Sequence, residues 1–170
     1  MITPQQPAWL RGPIEGIPSL LQPVAHALVD ADEDVQKFVT PLSLDQIAAR
    51  PGKVASVGYH VKHAMGSLDR LFTYARGESL NESQMKTLLS EKTFDASGLT
   101  GNALAAEFSA AVARAHAQLR ATPESELLTT RFVGCAKLPA TTIGLLVHAA
   151  EHTARHVGQI VTTAKIVGAE

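Results

Sequence analysis

A chain of 170 residues with 45% hydrophobic content can bury a core of its own, and its 15 basic against 16 acidic residues leave a formal charge of −1. That balance excludes the broad basic surface through which proteins hold nucleic acid or an anionic membrane. The single cysteine, Cys135, excludes an internal disulfide and points to a reducing compartment; the opening MITPQQPAWLRGP lacks a leader pattern, and no apolar run approaches a membrane span, so a soluble cytoplasmic protein of one domain is expected.

In chain order, the proline-rich first 17 residues read as an extended arm. PSLLQPVAHALVDADEDVQKFV (18–39) then carries Leu20, Val24, Leu28, Val35 and Phe38 near one helical stripe, with Pro41 marking the end of a first helix. VASVGYHVKHAMGSLDRLFTYARG (54–77) places Val57, Val61, Ala64, Met65, Leu68, Leu71 and Phe72 on one face and stops at Gly77, a second helix. ESLNESQMKTLLSEK offers Asn81 or Ser79 as the cap of a short helix before FDASGL breaks it. GNALAAEFSAAVARAHAQLRA (101–121) is an alanine-rich third helix closed by Thr122-Pro123, LLTTRFVGCAKLP is a loop with room for a brief extended piece, and PATTIGLLVHAAEHTARHVGQIVTTAKIVG (139–168) is a fourth helix with Pro139 near its first turn. Four amphipathic helices with little strand signal predict an all-α four-helix bundle. The roughly 22-residue link between the second and third helices exceeds what a simple reversal needs and allows those two to run parallel, an up-down-down-up order.

HAAEHTARHVGQI carries His148, His152 and His156 at intervals of four. Residues four apart on a helix differ by about 40° and about 6 Å, so adjacent members converge on one ion, whereas His148 and His156 are separated by about 12 Å of rise. The trio therefore supplies a pair, and a site needs a third ligand, which the second helix offers in His60 or His63. In a parallel arrangement of the second and last helices His63 would lie level with His148; in the antiparallel one, which up-down-down-up order requires, it lies level with His156. The expected set is His63, His152 and His156, with His60 as the alternative from the second helix. His26 and His116 read as structural, with His26 near enough on the first helix to approach the site; His148 reads as a residue that supports a ligand from behind or lines the pocket, and Asp69-Arg70 and Glu151/Arg155 as exposed ion pairs worth at most about 0.5 kcal/mol each.

GYHVKHAMGSLDRLFTYARG together with VHAAEHTARHVGQIVTTAK resembles the DinB/YfiT-like family of metal-dependent bacterial enzymes, and WLRGPIEGIPSLLQPVAHAL is similar to the opening of one branch of it. The resemblance covers most of the chain. It implies an up-down-down-up bundle, often a homodimer, with a divalent ion held by one histidine of the second helix and an H-x-x-x-H pair on the last. The pair's second histidine usually precedes a short stretch ending in Gly-Gln, here His156 before Val157, Gly158 and Gln159, which points to His152 and His156; Val157 stands where family members commonly carry Arg. Characterised relatives include thiol S-transferases that use low-molecular-weight thiols and a maleylpyruvate isomerase, so the fold and the metal carry over better than the substrate does.

HAAEH (148–152) also fits the H-x-x-E-H pattern of inverzincin proteases, but those take a further acidic ligand from well downstream, and the sole acid after His152 is the terminal Glu170. A di-iron carboxylate site is disfavoured because Glu-x-x-His elements are absent around these histidines. Three neutral imidazoles leave a +2 ion uncompensated and a coordination position open, where a thiol would ionise or a water would be activated. The expectation is a metal-dependent hydrolase or thiol S-transferase acting on a small molecule, with zinc or nickel foremost and iron or manganese also admissible. The competing expectation is a non-catalytic dimeric bundle that binds a small molecule or a metal.

Overall fold

A computed structural model describes residues 6–91 and 98–168; the first five residues of the arm, most of FDASGL and Glu170 lie outside the described residues. The chain is mostly helical, with α1 (Gln22–Val39), α2 (Leu44–Ala48), α3 (Val57–Ala75), α4 (Glu82–Ser90), α5 (Gly101–Ala121) and α6 (Thr142–Gly168), and a two-stranded ribbon of β1 (Thr130–Val133) and β2 (Leu138–Thr141).

Local chemistry sets most boundaries. Ser56 caps α3 by accepting from the Tyr59 N–H, and Thr100 caps α5 by accepting from Ala103; Asn81, rather than Ser79, starts α4 in a reciprocal capping box with Gln84. A second capping box, Ser43 with Gln46, forms α2, which the sequence reading did not foresee. Its Gln46 amide reaches across to donate to the Val167 carbonyl (3.0 Å), satisfying an orphan acceptor in the last turn of α6.

Two expectations need correction. The first helix does not begin at residue 18: Ser19–Leu21 is a 3-10 turn, and Leu20, assigned to the apolar stripe, is exposed while Leu21 is fully buried. The tighter 3-10 turn rotates the buried position by one residue. The last helix does not include Pro139, which lies on β2 opposite Phe132. A two-stranded ribbon has outer edges that tolerate a residue with no N–H, and Gly134 and Lys137, both at positive φ, turn the chain between the strands.

The arm lies against α1. The Ala8 N–H donates to Asp30 (2.8 Å), Arg11 pairs with Glu33 (2.7 Å), and the Gln22 side chain accepts from the Ile14 N–H and donates to the Ile14 and Ile17 carbonyls. One continuous buried cluster joins Leu21 of the 3-10 turn, Leu28 and Val35 of α1, Ile47 of α2, Leu68 of α3, Phe108 and Leu119 of α5 and Leu146 and Ile160 of α6. Within it, α3 packs on α6, α6 on α1, α1 on α5 and α5 on α3. Cross-contacts locate the registers: Gln36 donates to Ala105 and Ser109, His116 to the Ala25 carbonyl, Gln118 to the Phe72 carbonyl, and Lys165 lies over the Phe38 ring. Gly101 allows α5 to start against the end of α1, since a Cβ there would lie 2.2 Å from the Val39 carbonyl oxygen. No helix among the described residues is long and apolar enough to cross a membrane.

Candidate metal centre

The first half of α3 carries His60 and His63 three residues apart, and the middle of α6 carries His152 and His156 four apart, so each helix turns two imidazoles toward the other. The four rings meet at the α3–α6 contact. His63 Nε2 lies 3.1 Å from His152 Nε2, and His60 Nδ1 lies 3.0 Å from His156 Nδ1. Ring centroids are 4.5 Å apart for His63 and His156 and 4.6 Å for His152 and His156.

One ring nitrogen each from His63, His152 and His156 lies within 4.8 Å of the others, the one such group of metal-binding type among the described residues. An ion bound tetrahedrally at 2.0 to 2.1 Å separates its nitrogens by about 3.3 Å, close to the 3.1 Å between His63 and His152, so the donor set fits a divalent cation. His60 stands beside this group, in contact with His156, and is the most buried of the four; the other three are half-buried.

The surroundings disfavour a proton on His60, His152 and His156. Burial, then the neighbouring His63, His152 and His60 and the Arg155 charge, lower the His156 pKa to about 4. His152 and His60 are lowered too, each by burial first and His63 next. Neutral rings present the lone pairs that a metal requires.

The remaining sequence candidates fall outside the group. His148 is exposed, with its ring 5.7 Å from that of His152 and its Nδ1 3.4 Å from Glu151. His26 does not approach the site: its Nε2 donates to the Gly12 carbonyl (3.0 Å), tying the arm to α1. Glu151 and Arg155 form the expected exposed pair. Asp69 and Arg70 do not pair. Consecutive helix residues point about 100° apart, so Asp69 accepts from Gln84 (2.7 Å) while Arg70 is buried and donates to Glu91 (2.6 Å).

Glu91, at the end of α4, is the site neighbour that sequence reasoning missed. Its second carboxylate oxygen lies 2.8 Å from His63 Nδ1. Burial raises this carboxyl, but the hydrogen bonds from His63 and Arg70 outweigh it and hold the group below its ordinary value. No spacing joins residue 91 to residue 63, so only the docking of α4 on α3 reveals the pair. Tyr59 was also missed; its ring stacks on His63 at 5.7 Å and 8°, and its place one turn before that histidine was the available signal.

The profile of the DinB superfamily matches residues 27–160, a span that includes both histidine pairs. The chain belongs to the DinB superfamily. The three-histidine group lies within the matched span and can hold a metal ion. A crystal structure described as the conserved protein of a locus from Enterococcus faecalis superposes with a TM-score of 0.67 at 19% identity, covering 88% of this chain and 98% of that one, a likeness of fold. No curated protein matches significantly.

Proposed function

We propose that this DinB-superfamily chain is a metal-dependent enzyme, a hydrolase or a thiol S-transferase, that acts on a small molecule through a divalent ion held by His63, His152 and His156. One observation carries the reading: nitrogens from three half-buried rings on two different helices lie within 4.8 Å of one another. We also read the four long helices as up-down-down-up. The pairing of His60 with His156 and of His63 with His152, the lower number always with the higher, supports opposed directions for α3 and α6; the bonds of Gln36 with Ala105 and of Ala25 with His116 support the same for α1 and α5.

When bound, a divalent ion supplies Lewis acidity that ionises a thiol or a water reaching its open position. The residues do the rest. His63, His152 and His156 supply nitrogen donors and no carboxylate, so the positive charge is undiminished by anionic ligands. The Tyr59 ring lies nearly parallel to that of His63 at 5.7 Å and packs beside it. His60, through its contact with His156, holds that ring against the α3 side.

Zinc and nickel are the first candidates, with iron and manganese behind them, because imidazole suits several ions alike. Metal analysis of tag-free protein is the direct test. One ion per chain is expected, and His152→Ala and His156→Ala should each abolish stoichiometric binding; substoichiometric metal indifferent to both substitutions would leave a non-catalytic binding bundle. In the cobalt-substituted protein, a thiolate charge-transfer band on adding a low-molecular-weight thiol supports the transferase form, and a spectrum unmoved by thiols supports the hydrolase.

A further inference from the structure

We infer that Glu91 is the positioning residue of the metal centre: its carboxylate fixes the ring proton of His63 on Nδ1, so that Nε2 presents its lone pair to the ion. The inference rests on the metal reading above and adds a part that lies on neither histidine helix. His63 Nδ1 is 2.8 Å from Glu91 Oε2, while His63 Nε2 faces His152 on the other side of the ring. A carboxylate only accepts, so the nitrogen it meets must carry the hydrogen, and in the neutral ring that a metal requires the opposite nitrogen is the one with the free lone pair. Outer carboxylates of this kind orient histidine ligands and raise their basicity.

The carboxylate is itself held. Arg70 donates to Glu91 Oε1 at 2.6 Å, and the Arg70 and Glu91 side chains are only 10% and 11% exposed, so each oxygen has one assigned donor. Gly66 makes the approach possible. A Cβ at this position would lie 2.7 Å from Glu91 Oε1 and 2.8 Å from Arg70 Nη1, so the pair occupies the space that a side chain on α3 would fill. Glu91 stands at the C-terminal end of α4, and α4 is seated on α3 by Gln84, whose amide donates to Asp69 and Thr73 (2.7 and 2.8 Å). The ligand on α3 is thereby set by a helix from the connection between α3 and α5.

The test uses tag-free full-length protein with zinc or nickel in competition with a chromogenic chelator. His63 and Arg70 meet different oxygens of Glu91, and Glu91→Gln turns one of these into an NH2 donor, so only one of the two partners keeps its acceptor; its metal affinity should fall by about 10- to 100-fold. Gly66→Ala pushes the carboxylate aside without replacing either charged residue or a histidine, so its affinity should fall as well. Nitrogen-15 spectra of the metal-free protein should show His63 as the Nδ1–H tautomer in the wild type and lose that preference in Glu91→Gln, a change that general loosening of the fold does not produce. If the wild type binds one ion and Glu91→Gln binds it equally tightly, or if His63 carries its proton on Nε2, the positioning role is overturned and the metal reading stands. A wild type with no stoichiometric ion overturns both.

Discussion

At His156, three other imidazoles and the Arg155 guanidinium disfavour a proton that burial has already made costly, and the ring titrates at about 4 instead of the usual 6.5. The unfolded chain therefore takes up this proton at a higher pH than the folded one. Stability from this ring is complete above about pH 6.5 and is lost as pH falls toward 4, and the lowered values at His152 and His60 act with the same sign. Because the ring is partly solvated, its own share is roughly 1 to 2 kcal/mol, discounted from the full shift. Denaturant unfolding of chelator-treated protein should show a lower midpoint at pH 5 than at pH 7.5, and His156→Asn should flatten that difference. An equal dependence in the variant would contradict the assignment. Only part of this site was legible in the chain. The H-x-x-x-H spacing marks a pair by helix geometry alone, and His60 and His63 announce themselves by type. Matching depths along antiparallel helices favoured His63 over His60, but that Glu91 and Arg70 stand behind it depends on how helices rotate about their axes when packed, which no spacing within one helix encodes.

Among the elements, helix ends were easier to read than the ways in which helices meet. Asn81 and the Thr122-Pro123 stop act through bonds within a few residues, so the sequence displays them. Gly101 has no such local sign, yet it is where α5 meets the Val39 and Thr40 carbonyls at the end of α1. Those neighbours are backbone and cannot swing away as a side chain tip does. Gly101→Ala should cost about 1 to 3 kcal/mol despite the better helix propensity of alanine, seen as a melting temperature several degrees lower, whereas Gly158→Ala, with open space around its Cβ position, should be neutral or stabilising. The ribbon of β1 and β2 was hidden for a different reason. Each strand is four residues long, too short for an alternating pattern, and Pro139 reads as a helix start until its partner Phe132 is known.

For the molecule as a whole, the proposed metal centre is a crosslink between α3 and α6, which share the largest helix contact in the fold. An ion that binds the folded chain alone stabilises it by about 2.7 kcal/mol at a hundredfold excess over its Kd. For a chain of this length that is a rise of roughly 5 to 11 °C in melting temperature, which scanning calorimetry with and without chelator should record; His152→Ala should melt at the same temperature in both conditions. Phe108, fully buried on α5 away from the histidines, provides the contrast. Its replacement by alanine should cost about 3 to 5 kcal/mol whether or not metal is present.

By itself the sequence determined what is periodic or local: the mostly helical character, the apolar stripes, the caps and the pairing of His152 with His156, because a helix repeats every 3.6 residues and its ends are satisfied by near neighbours. The tertiary structure alone decided what converges from afar. The side-by-side seating of α3 and α6 brings residues about ninety positions apart within hydrogen-bond reach, the docking of α4 brings Glu91 to the outer nitrogen of His63, and the turn of α2 brings Gln46 to the end of α6. Such contacts follow from the burial of apolar surface, which has no preferred direction, and their geometry exists only once all the helices have found a common core.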